Sequence, residues 1–270
     1  MKTTTYILGA MVLGLFLSIA VGVATMYYFS QPLNTQELHF SGEITTQQLP
    51  ACSVLKVIHQ DTIVDNRSYP HSNFFTDSRL QVSGTLAAAP LFSFPSSFAP
   101  FFRLIQQADT VSIVLNIPLE ERLKHVNAPH EALWIAIRDL RLQLPSSVQQ
   151  LEVSLRNMPV EFFSMHQDSL SCRIDGTATL DSCCFQSLSM QANVVHYNSG
   201  TIDRLYMDLD VVSDWTVQSE TCRIGTEYLQ GSGIHTVQRG ECCKLRWFPK
   251  NSEASLQLSL SQAAEIQLLE

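Results

Sequence analysis

The stretch LYMDLD, residues 205–210, decides how this sequence is interpreted. Apolar residues alternate in it with a tyrosine and two aspartates, which is the period of two expected of a β-strand with one buried face. Stretches of the same pattern begin at Leu151, Leu170 and Leu188, so the pattern returns at intervals of 19, 18 and 17 residues. A unit of this length cannot bury its own apolar face, and its repetition is typical of strands that stack on one another.

We therefore predict a parallel β-solenoid, in which equivalent residues of successive units stack about 4.8 Å apart. The apolar positions of the repeat would form three inward ladders. These are Leu151, Leu170, Leu188 and Leu205; Val153, Cys172, Met190 and Met207; and Leu155, Ile174, Ala192 and Leu209. The alternative is an antiparallel β-sandwich or jelly roll whose hairpins recur at the same interval. The direction of strand pairing distinguishes the two architectures.

Strand patterns also dominate the chain before the repeat. Apolar, partly alternating runs predict strands at Leu38–Ile44, Val54–His59, Leu80–Leu86, Val111–Ile117, Leu133–Ile137 and Leu140–Leu144. The segment 95–107 has phenylalanines at helical spacing and predicts a short helix capped by Ser96 or Ser97. A second short helix is predicted at 118–126, where Pro118 is acceptable at a helix start, and Asp65–Asp77 has the composition of a loop. The chain is expected to be mainly β.

The N-terminal run Tyr6–Phe29 contains no charged residue. As a helix its 24 residues would measure about 36 Å, compared with roughly 30 Å of bilayer hydrocarbon. Lys2 precedes the run and Glu37 is the first charge after it, so the positive-inside tendency predicts a single-pass anchor in the cytoplasmic membrane. The rest of the chain would lie outside, in the periplasm or on the cell surface. The alternative is a cleavable signal peptide with Gly22-Val23-Ala24 as cleavage site, which also exports the chain.

These patterns divide the chain into four parts. Residues 1–29 are the predicted transmembrane signal anchor, 30–37 a polar linker, 38–150 the N-terminal part of a β domain, and 151–270 the repeating part. A chain of 270 residues has ample material for a core. Its net charge of −8 and its lack of a Lys/Arg cluster argue against a nucleic-acid partner.

The search for catalytic motifs yields little. The eight histidines show no HxH or HExxH spacing, and no CxxC, GxSxG or phosphate-binding glycine loop occurs. Asp208 and Asp210 would face outward together, as a cation site or an acid–base pair requires, but a solvated strand face is the simpler interpretation. His125, His130 and Glu131 are interpreted as residues of a surface loop. We predict no enzyme activity, catalytic residue, metal or cofactor.

Seven cysteines are an odd number, so one at least is free or pairs with another chain. Cys172 falls in an inward ladder, where a small thiol packs well, and we predict buried, reduced cysteines. One alternative is a disulfide between the Cys183-Cys184 pair and the Cys242-Cys243 pair. Zinc binding by these four residues is disfavoured because neither pair has the C-x₂-C spacing.

The sequence resembles the GIN domain, an auto-transporter adhesin head domain common in Bacteroidetes. LPACSVLKVIHQDT (49–62) resembles the opening strand of that family, and TVSIVLNIPLEERLKHV (110–126) with EALWIAI (131–137) resembles its next strands. The repeated LxVxLx units resemble its serial coils, so that the resemblance covers about 45–260. It implies a right-handed β-solenoid with no known catalytic site.

The expected function follows from these patterns. We predict a membrane-anchored, extracytoplasmic protein with a binding, adhesion or scaffolding role at the cell envelope, because stacked strands offer a long side surface. Its partners would be the membrane, through Tyr6–Phe29, and an envelope glycan or protein. One alternative is a glycan-active enzyme, which needs a groove with clustered carboxylates. Another is a lipid- or glycolipid-handling jelly roll, which needs an open apolar trough.

Overall fold

The structure is a computed structural model that describes residues 18–23, 36–59, 63–64, 67–68, 73–75, 77–116, 133–155, 158–239 and 244–260. Residues 18–23 are helical, and no helix in the described part of the chain is both long and apolar enough to span a bilayer. Most of the predicted anchor Tyr6–Phe29 lies outside the described residues. So do the predicted helix at 118–126, the loop residues His125, His130 and Glu131, and the pair Cys242-Cys243.

Apart from the helical residues 18–23, the described residues form 22 strands and one 3₁₀ helix. The strands are β1 (Gln36–Phe40), β2 (Ile44–Gln48), β3 (Val54–His59), β4 (Ile63–Val64), β5 (Arg67–Ser68), β6 (Asn73–Phe75), β7 (Leu80–Gly84), β8 (Leu91–Pro95), β9 (Phe102–Gln107), β10 (Thr110–Leu115), β11 (Leu133–Ile137), β12 (Leu140–Leu144), β13 (Gln150–Ser154), β14 (Val160–Phe163), β15 (His166–Asp181), β16 (Cys183–Tyr197), β17 (Gly200–Asp208), β18 (Asp214–Val217), β19 (Cys222–Gly231), β20 (Ile234–Arg239), β21 (Leu245–Pro249) and β22 (Ser255–Leu260). The helix, η1, is Ser96–Phe101. The prediction of a mainly β protein is confirmed, and β3, β11 and β12 have the predicted bounds.

Most strands belong to one sheet of 15 strands. Its order is β2-β8-β12-β7-β14-β15-β13-β3-β10-β9, and it continues from β15 through β16 to β17, β18, β19 and β21. Strands of the N-terminal part and of the repeating part therefore share one sheet. Three small sheets accompany it, with the orders β1-β11-β6, β20-β22 and β4-β5.

Within the repeat the strands pair in parallel and largely in the predicted register. Leu170 lies opposite Leu188, and Leu188 lies opposite Leu205. The alternative of antiparallel hairpins is therefore wrong for this region. Among the described strands, antiparallel pairing occurs in β2–β8, β8–β12, β9–β10 and β4–β5.

The first unit is shifted relative to the predicted register. Leu151 pairs with Cys172, and not with Leu170 as predicted. A shift by two residues keeps every side chain on its own face of the sheet, since the side-chain period of a strand is two. The hydrophobic pattern alone cannot distinguish the two registers.

The repeat also bends within strand β15. Asp175-Gly176 lies inside β15, at a shift in register between Ile174 and Thr177, and Gly176 has a φ of +145°. The first halves of β15 and β16 pair with β13 and β17, while their second halves pair with β14 and β18. Because two strands run through this bend, the sheet curls into a half-barrel and is not the predicted right-handed solenoid.

The concave side of the sheet is filled with apolar side chains. The inward residues Leu170, Leu188 and Leu205 are 1%, 0% and 0% exposed. Cys172 is 1% exposed in the next ladder, so the prediction that it is buried is confirmed. This close-packed interior holds the strands rigidly and leaves their outward side chains to vary.

The segment 95–107 differs from the predicted helix. It forms η1, which contains Pro100, and then the strand β9. Proline inside a helix removes a hydrogen bond and clashes with the preceding turn, which explains why the helix ends early. Neither predicted serine caps it: the residue before the helix is Pro95, with no side-chain capping bond, and the Ser97 hydroxyl accepts a hydrogen bond from the Ser41 N–H. The predicted loop Asp65–Asp77 contains β6, which pairs with β11.

A turn at Asn198-Ser199-Gly200, a combination typical of turns, leads from β16 into β17. Gly200 has a φ of +122°, and a Cβ atom placed on it would collide with the carbonyl oxygen of Cys183. Glycine is required there because no other residue adopts this conformation without strain.

Candidate functional site

Aromatic rings stack across three neighbouring strands on the outer face of the sheet. Tyr206 on β17 lies opposite Tyr228 on β19, with ring centroids 4.6 Å apart and planes 17° from parallel. Tyr228 stacks in turn on Phe248 of β21, at 6.3 Å and 11°. We call Tyr206, Tyr228 and Phe248 the aromatic strip. Tyr228 is thus stacked between two rings, whereas Tyr206 and Phe248 each have one stacked face.

The alternation of the strands places this strip outside. Leu205 and Met207, on either side of Tyr206, are 0% and 3% exposed, so Tyr206 must point to the other face. In the two preceding strands, the residues in register with Tyr206 are Ser189 and Ser171. This outer row therefore changes from serine to tyrosine toward the C-terminal end of the sheet.

The two aspartates predicted as a solvated pair are bridged by a lysine. The Lys250 ammonium donates to both carboxylate oxygens of Asp208 at 2.7 and 2.7 Å, and to Oδ2 of Asp210 at 2.8 Å. Gln230 on the neighbouring strand also donates to Asp208, at 3.3 Å. Asp210 is exposed, as expected, and Asp208 is half-buried, but both carboxylates are bound by Lys250.

Asp210 has two further donors. The Ser232 backbone N–H donates to its Oδ1 at 2.8 Å, and His235 Nε2 lies 3.1 Å from the same oxygen. The hydrogen bond from Lys250, followed by that from Ser232, holds the pKa of Asp210 well below its usual range. Hydrogen bonds to Asp208 and then to Asp210 raise the pKa of Lys250. Asp210 is thus ionised at neutral pH and holds no proton to donate.

Metal-ligand clusters are absent from the described part of the chain: it has no group of three or more histidine, cysteine or acidic side chains that could hold an ion. Cys183 and Cys184 are free thiols, so neither takes part in the alternative disulfide. Burial raises the pKa of Cys183 to about 11 and that of Cys222 to about 11. These two thiols remain protonated and unreactive at neutral pH.

Two clefts open on the surface. One of about 480 Å³ lies beside His166, Asp168 and Cys184. The other, of about 520 Å³, is lined by Val217, Ile224 and eight further residues, most of them polar. Both linings mix charged and polar side chains, whereas a site for lipid chains is lined predominantly by apolar ones.

Sequence reasoning missed the aromatic strip and Lys250. Leu205 lies opposite Glu227, which is 5% exposed, so a glutamate occupies an inward position of the repeat. This substitution hides the next unit from a search for apolar alternation, although TEYLQ (226–230) aligns with RLYMD (204–208). That alignment was the available signal for the pair of tyrosines. No local signal places Lys250 beside Asp210, 40 residues earlier.

Comparison with known proteins leaves the family open. No family model matches the chain, and no curated protein matches it. A solved structure from Parabacteroides distasonis ATCC 8503, named "Putative lipid binding protein", is 8% identical with a TM-score of 0.40, and the match covers 84% of this chain and 98% of that one. A "putative adhesin" of Bacteroides fragilis NCTC 9343 is 8% identical with a TM-score of 0.35, covering 83% and 96%. Similarity at this level carries no argument, so the resemblance to the GIN domain stays a prediction.

Proposed function

We propose that this protein is a binding or adhesion module of the cell envelope, and that it holds a glycan on the outer face of β17, β19 and β21. The aromatic strip is the observation that carries the proposal. Tyrosine and arginine are enriched among residues that dominate binding energy, and here Arg246 lies with its guanidinium carbon 5.5 Å from the centre of the Tyr228 ring. Phe248 is 51% exposed, which leaves it available for contact.

The strip is suited to an extended ligand. Neighbouring strands lie about 4.8 Å apart, so the strip and the polar residues beside it form a regular row across the sheet. A glycan offers many hydroxyl groups, which the phenols of Tyr206 and Tyr228 and the amide of Gln230 can bind as donors or acceptors. The buried ladder beneath holds these groups in place, so little ordering is needed when the ligand binds.

An enzymatic role is not part of this proposal. Hydrolysis of a glycosidic bond uses one carboxylic acid that donates a proton and a second carboxylate. The Lys250 ammonium keeps Asp210 ionised and is hydrogen-bonded to Asp208. We therefore expect Asp208→Ala to leave any glycan-degrading activity of a preparation unchanged, as measured by the release of reducing ends.

The location outside the cytoplasmic membrane is also proposed. Its support is the uncharged run Tyr6–Phe29 behind Lys2, which suits an anchor. Protease added to spheroplasts that contain the full chain should digest the β domain. Protection of the domain while the membrane stays intact would contradict this location.

Binding to a panel of purified envelope polysaccharides tests the proposed function. The double change Tyr206→Ala and Tyr228→Ala should weaken binding by on the order of tenfold, about 1.4 kcal/mol. Tyr228→Phe keeps the stacked ring and removes the hydroxyl, so it separates hydrogen bonding from stacking. Ser189→Ala, in the same outer row, is the matched control and should bind as the unaltered protein does. The proposal is wrong if the unaltered protein binds no polysaccharide.

A further inference from the structure

We propose that the aromatic strip selects acidic glycans, namely chains that carry carboxylate or sulfate groups, through three cations at its border. This inference rests on the proposed function and names the ligand class. The cations are Arg204, Lys244 and Arg246, which we call the basic rim. All three are exposed.

The strands bring the basic rim together. Arg204 on β17 lies opposite Thr226 on β19, two residues before Tyr228 on the same outer face. Lys244 immediately precedes β21, and its carbonyl accepts the backbone N–H of Glu227 at 2.8 Å, so it lies next to Thr226 as well. Arg246 lies opposite Tyr228. Cations from two chain segments, β17 and residues 244–246, thus lie beside the strip.

These cations differ from others on the sheet in lacking a carboxylate partner among the described residues, although Arg204 Nε donates to the Gln186 carbonyl at 3.5 Å. Lys56 and Glu152 form an ion pair of 2.6 Å on the N-terminal strands, and Lys250 is held by both Asp208 and Asp210. Within the described residues, no carboxylate forms an ion pair with Arg204, Lys244 or Arg246. Unpaired cations grouped together in a protein of net charge −8 point to an anionic partner.

The rings of the aromatic strip also favour an anionic ligand. An aromatic ring carries negative charge on its faces and positive charge at its edge. The stacking of Tyr206 and Phe248 on Tyr228 covers the faces of the Tyr228 ring, so we infer that its edge, which attracts oxygen-rich, anionic groups, meets the ligand. The guanidinium of Arg246 adds a planar donor fork that matches a carboxylate or sulfate.

An acidic peptide is the alternative ligand for this surface, but the sequence of β21 disfavours the binding of a peptide as an added strand. A peptide that extends a sheet needs backbone groups at the edge strand. Pro249 at the end of β21 lacks an N–H, and basic residues and proline are features that block strand addition. A glycan needs only the side chains, which are all available.

The test compares polygalacturonate with its carboxyl-reduced form, using the full chain. We expect polygalacturonate to bind on the order of tenfold more tightly, the effect of one charge-assisted contact, and its binding to weaken as salt is raised. Arg204→Gln with Lys244→Gln should largely remove this preference without changing the affinity for the reduced form. Lys56→Gln, a cation already paired on the same face, is the control and should leave the preference intact.

The outcomes separate this inference from the proposed function. Equal binding of the two polymers overturns the acidic-glycan inference and leaves glycan binding standing. If the protein binds neither polymer and no other polysaccharide of the panel, both the acidic-glycan inference and the proposed function are overturned. Equally tight binding of poly-glutamate would show attraction to charge alone and would also overturn the inference.

Discussion

The inner and outer faces of β16 and β17 differ in what constrains their side chains, although both faces are formed by alternate residues of the same strands. On the inner face Leu188 stacks on Leu170 and Leu205, and all three are buried. On the outer face the neighbouring row runs from Ser171 through Ser189 to Tyr206. A buried side chain must match the volume enclosed by its neighbours, whereas an outer one is limited only by solubility. The proposed binding surface lies on the outer face, where side chains are less constrained by packing.

The largest effect expected on the inner face is that of Leu188→Ala. This change leaves a cavity enclosed by Leu170, Leu205 and the rest of the core, and should lower the free energy of unfolding by about 2–5 kcal/mol. Urea denaturation followed by circular dichroism measures it. A decrease in the free energy of unfolding no larger than that caused by a substitution at an exposed site would show that this ladder is not close-packed.

The next effect is expected at the turn that joins the two strands. Gly200→Ala places a Cβ against the Cys183 carbonyl at a φ of +122°. The strain should cost about 1–3 kcal/mol, again measured by urea denaturation. Gly233→Ala is a suitable comparison, because only the His235 side chain, at 3.8 Å, lies near a Cβ there. Equal losses for the two glycines would contradict the explanation.

On the outer face, Lys250→Met should alter the response to acid. The native pKa of Asp210 is lowered by Lys250, so Asp210 stabilises the fold above its ordinary pKa of about 3.9 and this contribution is lost as the pH falls through the native pKa. Without Lys250 the native pKa rises and acid unfolding should begin at a higher pH. Circular dichroism during acid titration measures this, and unchanged acid transitions would contradict it.

The smallest effect is expected for Ser189→Ala. Its neighbour Leu188 lies inside, and Ser189 itself lies in the outer row between Ser171 and Tyr206. A change at such a surface position should shift the free energy of unfolding by less than about 0.5 kcal/mol. A larger loss in urea denaturation would mean that the outer row takes part in packing after all.

Much of the fold was predictable because strand alternation is a local property. Leu133–Ile137 and Leu140–Leu144 were predicted with the bounds that the structure has. Of the helix expected at 95–107 only η1 forms, and residues 102–107 form β9, because phenylalanines at helical spacing also suit an aromatic cluster. There Phe98 packs 5.0 Å from Phe40, and Phe102 lies 4.6 Å from Phe94, measured between ring centres.

The candidate site was less predictable because its parts are distant in the chain. Asp208 and Asp210 were recognised as an outward pair, but their partner Lys250 follows only after β18, β19, β20 and β21. The stack of Tyr206 on Tyr228 requires a particular register between β17 and β19. Alternation indicates that Tyr206 points outward and says nothing of what lies beside it.

Sequence alone indicated many of the strands and most of the inward side chains, because both depend on residues two positions apart, but it missed β9 and the inward position of Glu227. It also indicated parallel stacking, since Leu170, Leu188 and Leu205 recur at nearly equal intervals. Only the tertiary structure decided the two-residue shift of Leu151, the curl of the sheet into a half-barrel, and the meeting of the aromatic strip with Lys250. These features depend on contacts between distant strands, and several registers satisfy the same local pattern of buried and exposed residues.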